Sequence, residues 1–149
     1  AFDNREVEDS SLYDFYSGNF EEVVKDADIV SLHLSVNNAT IGFINEKSIN
    51  KMKDGVILIN TSRGELVVEN DLYQALERGK ISAAGLDVFE KEPYNPVSDI
   101  DFRKLNNTLL TPHCGSNTTE ASNRMAEIVV KNILAYYKNE KMLLIPELA

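Results

Sequence analysis

DGVILINTSRGELVVENDLYQALERGKISAAGLDV, residues Asp54 to Val88, is the stretch that decides the fold. Its opening run, VILIN (Val56 to Asn60), is apolar without alternation until an Asn that opens a turn. Such a run suits a strand covered on both faces of a parallel sheet. Glu69 to Arg78 then places Leu72, Ala75 and Leu76 on one helical stripe and stops at Gly79. ISAAGLDV (Ile81 to Val88) returns to strand composition, with small residues that let a helix pack close. Strand, helix, strand at this spacing is a crossover unit, and its two strands must run parallel.

The same alternation continues outward on both sides. Upstream, Asn19 to Ala27 sets Phe20, Val23, Val24 and Ala27 on one helix face with Asn19 as N-cap. Asp28 to Leu34 reads as a strand, Asn37 to Thr40 as a loop, and Asn45 to Lys53 as a short helix ended by Asp54-Gly55. Downstream, Lys91 to Lys104 holds two of the four prolines and reads as a loop, with one helical turn over Ile100 to Leu105. Thr108 to Leu110 is a short strand ended at Thr111-Pro112. Thr118 to Asn139 is the longest helix, with Ala121, Met125, Ile128, Val129, Ile133 and Tyr136 at helical spacing; Tyr136 and Tyr137 are expected as packing residues. The tail MLLIPELA is too apolar to stay in water and is expected to dock. The expected fold class is α/β: an incomplete Rossmann-type, doubly wound parallel sheet, with a long C-terminal helix and tail. Ligands in such sheets bind beyond the carboxyl ends of the strands, which singles out Leu34–Thr40, Asn60–Gly64, Asp87–Pro93 and Thr111–Gly115.

Composition narrows the function classes. The chain has 149 residues, 43% of them hydrophobic, and a net charge of −9. That suits one domain with an ordinary core and argues against disorder. The acidic balance, with Lys and Arg scattered singly, argues against a nucleic-acid binder. One Cys leaves no disulfide framework, and two His without HxxxH or CxxC spacing leave no metal site. No apolar run reaches membrane-spanning length, and the acidic start AFDNREVEDS is unlike a secretory signal. A cytoplasmic protein is the expectation.

Three side chains in the strand-end loops carry chemistry. Arg63, between a buried strand and Gly64, can grip a carboxylate with its rigid fork, or simply pair near the next helix. His113 in TPHCG and Glu92 before Pro93 each have a bland reading, a structural imidazole and a solvated carboxylate. Together they form a working set: a carboxylate beside an imidazole raises its pKa and fixes its tautomer, while the arginine holds an anion. Cys114 neighbours His113, but adjacent residues at a strand end point apart, so a Cys-His nucleophile is not expected.

MKDGVILINTSRGELV (Met52–Val67), DLYQALERGKISAAGLDVFEKEP (Asp71–Pro93) and TPHCGSNTTEA (Thr111–Ala121) stand in one register. These blocks resemble those of the D-isomer-specific 2-hydroxyacid dehydrogenases, a family that includes phosphoglycerate, formate, D-lactate and glycerate dehydrogenases. The resemblance runs from Ala1 to about Asn139. It implies NAD as cofactor and a 2-keto or 2-hydroxy acid as substrate. It implies that Arg63 binds the substrate carboxylate and polarises its carbonyl, that Glu92 keeps the catalytic imidazole protonated, and that His113 gives a proton to the carbonyl oxygen. It also implies cofactor contacts at Asp87, Thr61, Ser62, Thr40 and Gly115. Asp3 would meet the adenosine ribose, which favours NAD over NADP because a 2′-phosphate would face a like charge. Ser35 stands where the family usually has proline, on the cofactor side.

One family feature is absent: the glycine-rich turn that should lie roughly 20 residues before the ribose acid. The chain is therefore expected to match the second half of such an enzyme, whether truncated, a fragment or one part of a split protein. Residues 1–116 would form a partial NAD-binding domain without its first strand, and 117–149 a helix and tail returning to an absent substrate domain. The resemblance implies a homodimer, and weak or no activity in the isolated chain. The alternative is a non-catalytic, corepressor-like interaction module of the same fold.

Overall fold

A computed structural model describes residues 1–3, 13–96 and 100–143. They fall into two compact units, Ala1–His113 and Cys114–Ala149.

The first unit is built on a four-stranded parallel sheet of β1 (Ile29–Leu32), β2 (Val56–Asn60), β3 (Ile81–Leu86) and β4 (Thr108–Leu110), in the order β1-β2-β3-β4. Helix α1 (Phe20–Val24) precedes β1, α2 (Glu46–Asn50) joins β1 to β2, and α3 (Glu69–Glu77) joins β2 to β3. A 3-10 turn at Phe102–Lys104 precedes β4. Registers run Val30 opposite Leu58, Leu58 opposite Ala84, and Ala84 opposite Thr108, so all four carboxyl ends lie at one edge. This is the expected α/β, Rossmann-type arrangement.

Local chemistry sets the element ends. Asn19 caps α1 by accepting from the Glu21 amide at 3.1 Å. Asn45 and Ser48 cap α2 reciprocally, each side chain accepting from the other's backbone N–H. The 3-10 turn at Gly64–Leu66 and the single bridge between Ile44 and Val67 have no counterpart in the sequence reading. The bridge joins segments distant in the chain, and the turn is closed by the Leu66 and Val67 amides donating to the Arg63 and Gly64 carbonyls.

Val30, Leu32, Val56, Leu58, Ala84 and Leu86 of the sheet join Ile49 and Met52 from the α2 segment and Leu72, Ala75 and Leu76 of α3 in one buried cluster. Each Val, Leu, Ile or Met side chain among them contributes roughly 1.5–3 kcal/mol when fully buried, and the two alanines less. Ile57 and Ile59, on the other face of β2, are only half-buried. The unbroken apolar run therefore overstates the cover on that face.

β1 is the edge of this sheet, and its Ile29 side chain is 58% exposed. A cleft of about 530 Å³ runs along it, with Ala1–Asp3, Tyr13 and Tyr16 forming the opposite wall. Phe2, Phe20 and Phe43 pack ring on ring at 5.0–5.8 Å beside it, and Phe2 pairs with Ser17 in a single parallel bridge.

The second unit centres on α4 (Thr119–Lys138). Thr118 caps it by accepting from the Ala121 amide, and Asn139, left-handed at φ 54°, closes it. The Asn132 carboxamide bonds both the N–H and the C=O of Leu143 at 2.8 Å, laying the start of the tail along the helix. The rest of the tail, 144–149, lies outside the described residues. Tyr136 and Tyr137 are 66% and 80% exposed, so they are not the packing residues expected from their spacing. Met125, Ile128, Val129, Val130, Ile133 and Leu134 are exposed as well, including those on the predicted apolar stripe. Among the described residues, no helix is long and apolar enough to cross a membrane.

Candidate active site

The carboxyl end of β2 carries Arg63. Asn60 ends the strand and turns the chain: its Oδ1 accepts from the Ser62 amide at 3.1 Å, and its Nδ2 donates to the Arg63 carbonyl at 2.9 Å. Ser62 Oγ donates to the Leu34 carbonyl at 2.7 Å, tying this turn to the loop after β1. Arg63 is exposed and extended (φ −147°), with Nη1 donating to the Ser62 carbonyl at 2.7 Å. Among the described residues no carboxylate forms an ion pair with it. Gly64 then lies directly against the Phe89–Glu90 backbone, so the loops after β2 and β3 are in backbone contact.

At the ends of β3 and β4 the structure joins Glu92 to His113. Glu92 Oε2 lies 2.6 Å from His113 Nδ1, and its Oε1 accepts from the Phe89 amide at 3.1 Å. The bond to the imidazole holds the Glu92 carboxyl below its ordinary 4.5, with the Phe89 amide acting in the same direction and desolvation opposing. With Nδ1 engaged, His113 Nε2 remains for a reactant. His113 has φ 52°, in the left-handed region that a non-glycine residue enters at a cost of roughly 1–2 kcal/mol. Such conformations persist where surrounding contacts hold them, and they gather at functional sites. The buried Asp87 braces this end: its N–H donates to the Asn60 carbonyl at 3.0 Å, and Thr111 Oγ1 donates to its carboxylate. The Glu92–Pro93 peptide bond is cis.

The predicted acid, base and anion-binding residues are thus partly assembled. Glu92 and His113 touch; Arg63 bonds neither, and is joined to them through the contact at Gly64. Thr61 is exposed at the β2 turn. Asp3, Ser35 and Thr40 line one pocket of about 310 Å³ with Phe2, Leu34 and Phe43. Thr40 Oγ1 donates to the Ser35 carbonyl at 2.7 Å, which fixes that loop, and Tyr16 OH donates to the Asp3 carbonyl. A carboxylate beside apolar walls suits the ribose hydroxyls and adenine ring of a dinucleotide, so the residues present fit that end of NAD. Gly115 belongs to the second unit, in the turn where Asn117 N–H donates to the Cys114 carbonyl.

Sequence reasoning missed two residues here. Asn60 stands out only as a turn opener, yet it is the most deeply buried polar side chain described, 1% exposed. Arg103 lines a cavity of about 470 Å³ together with Glu92, His113, Phe89 and Tyr94. It pairs with Asp101 through two bonds of 2.8 and 2.9 Å and lies 5.9 Å from the Tyr94 ring centre. Nothing in the polar 91–104 segment distinguishes it beforehand.

A parallel α/β sheet with an imidazole–carboxylate pair at its carboxyl edge, and a slot there that joins a carboxylate to apolar walls, has the architecture of a nucleotide-binding domain. The chain belongs to the D-isomer specific 2-hydroxyacid dehydrogenase family, whose NAD binding domain matches residues 1–115. It is 48% identical over 122 residues to a glyoxylate reductase of Thermococcus litoralis, covering 82% of this chain and 36% of that protein. Among solved structures, a glyoxylate reductase from Paecilomyes thermophila superposes with a TM-score of 0.87 at 35% identity, over 99% of this chain and 44% of the other. A D-lactate dehydrogenase from Aquifex aeolicus, complexed with NAD and lactic acid, gives 0.80 at 35% identity, over 93% and 46%. The chain spans about a third of the length of the curated relatives it matches.

Proposed function

We propose that this chain supplies the cofactor side and the acid–base centre of an NAD-dependent enzyme that interconverts a 2-keto acid and a D-2-hydroxy acid. The observation that carries the reading is the 2.6 Å Glu92–His113 pair, held at a strand end next to the loop of an arginine with no carboxylate partner among the described residues. Arg63 takes the substrate carboxylate, for which its planar fork is shaped. His113 Nε2 gives its proton to the carbonyl oxygen in reduction and takes one from the hydroxyl in oxidation. Glu92, ionised at neutral pH, orients the ring through Nδ1 and stabilises its charged form. NAD, when bound, supplies the hydride acceptor and its reduced form the donor. Asp3, Ser35 and Thr40 hold its adenosine end, Asp3 favouring NAD over its phosphorylated counterpart, and Thr61, Ser62, Asp87 and Gly115 serve the nicotinamide side. Glyoxylate is the first substrate to try, because the similar proteins from Thermococcus litoralis and Paecilomyes thermophila are named for its reduction.

The reading places residues 1–116 in a partial NAD-binding domain and leaves 117–149 to meet a substrate domain. It makes the chain alone weakly active or inactive, and its setting a cytoplasmic homodimer. The exposed apolar residues of α4 support a covering partner. The test is a fusion in which this chain replaces its counterpart in the Thermococcus litoralis enzyme. Glyoxylate-dependent NADH oxidation is expected, falling about 10²–10⁴-fold in His113→Ala, the usual contribution of a general acid. Turnover indifferent to both His113→Ala and Arg63→Ala overturns the reading.

A further inference from the structure

Asn60 hydrogen-bonds neither Glu92 nor His113 and is too deeply buried to meet a substrate, yet both ends of its carboxamide and its backbone carbonyl are committed to the site. Its Oδ1 holds the Ser62 amide, its Nδ2 the Arg63 carbonyl, and its backbone carbonyl the amide of Asp87. Among the described residues the Arg63 side chain makes a single hydrogen bond, to the carbonyl of Ser62, the same residue whose amide Asn60 holds. The guanidinium is therefore placed by the backbone of the turn rather than by a carboxylate of its own. Only a group with a donor and an acceptor on one short, planar end can grip an N–H and a C=O two and three residues ahead at once. Asp at neutral pH lacks the donor, and Ser offers a single hydroxyl oxygen in place of two separate polar atoms.

We propose that Asn60 is the positioning residue of Arg63: its buried carboxamide sets the turn that aims the guanidinium, independently of the Glu92–His113 pair. The inference rests on the reading of Arg63 as the group that takes the substrate carboxylate. Its predicted signature is selective, because loss of Asn60 loosens Arg63 while the imidazole pair, held by other bonds, stays.

The experiment uses the chain itself, ¹⁵N-labelled, as wild type, Asn60→Ser and Asn60→Asp. Three things are read by NMR: the heteronuclear NOE of the Ser62 and Arg63 amides and of Arg63 Nε–Hε, the pH titration of the His113 ring, and the shift of Arg63 Nε on adding glyoxylate. Asn60→Ser is expected to lose order at 62–63 and to lose the glyoxylate response, with the His113 titration as in wild type. Asn60→Asp is expected to be loose at neutral pH and to regain order in mild acid, because a protonated carboxyl again offers one donor and one acceptor. Wild-type order at 62–63 in both variants overturns the proposal. So does loss of the His113 titration together with Arg63 order in both, since Asn60 would then be a general core residue. A wild-type chain whose Arg63 ignores glyoxylate, with the order effects intact, removes the carboxylate-binding reading and leaves the positioning role standing.

Discussion

Gly64→Ala is the sharpest test of how the loops are joined. A Cβ at this position would lie 1.9 Å from the Phe89 carbonyl carbon, 2.0 Å from its oxygen and 2.3 Å from the Glu90 nitrogen. Ordinary contact begins at 3.4 Å, and the obstructing atoms are backbone, which no rotamer change relieves. One or two added methylenes in a packed core cost typically 1–3 kcal/mol where side chains can yield. Here they cannot, so a loss of about 3 kcal/mol or more is expected, against a total of roughly 5–15 kcal/mol for a domain. Two other glycines provide the scale. Gly85→Ala meets only Ile59 Cγ1 at 4.0 Å and has no unusual backbone angle, so it should change stability little. Gly55→Ala meets nothing within 4 Å but sits at φ +80°, so its cost of roughly 1–2 kcal/mol comes from backbone conformation alone. Urea denaturation of the three variants, followed by circular dichroism, ranks them. A Gly64→Ala midpoint within error of Gly85→Ala would show that the loops after β2 and β3 are not in backbone contact, and the joining of Arg63 to the Glu92 loop would be wrong.

The acid response of the imidazole pair follows from the sign of the Glu92 shift. The folded carboxyl is more acidic than its ordinary 4.5, so its stabilising contribution is fully present above that value and fades as pH falls through the lower folded one. The stability difference between wild type and Glu92→Gln, measured by urea titration across this window, should shrink on acidification; a difference that grows towards low pH refutes the pairing. In the core, Phe102 is completely buried, with the Tyr73 and Tyr94 ring centres at 5.8 and 6.2 Å. Phe102→Ala should cost about 3–5 kcal/mol, seen as an early thermal midpoint, and a shift typical of a surface change would mean that the 91–104 segment is not anchored there.

What could be read ahead was local. VILIN and Thr108–Leu110 match their strands residue for residue, and Asn19, Asn45 and Thr118 declare their helix starts, because period and capping chemistry act within a few residues. Arg63, Glu92 and His113 were legible as chemistry in strand-end loops, but not as geometry. Only the folded chain shows that Glu92 holds Nδ1, that Arg63 stands apart from the pair, and that a left-handed His113 presents the ring. Asn60 and Arg103 were illegible for the same reason: a carboxamide spent on its own turn and an arginine beside Tyr94 are defined by what surrounds them. In α4 the 3.6-residue period correctly gave a helix, but apolar spacing does not say whether a cover is present, and Tyr136 and Tyr137 stand exposed.

The sheet order β1-β2-β3-β4 has a temporal meaning. Each strand hydrogen-bonds the one made just before it, so a chain leaving the ribosome can add one strand-and-crossover at a time without waiting for a distant segment. Arg63 emerges first, Glu92 next, and His113 last, at the end of the final strand. The Glu92–His113 contact is then the closing event of the sheet's assembly, and a nascent chain halted before Thr108 would carry the arginine loop and a carboxylate still waiting for its imidazole.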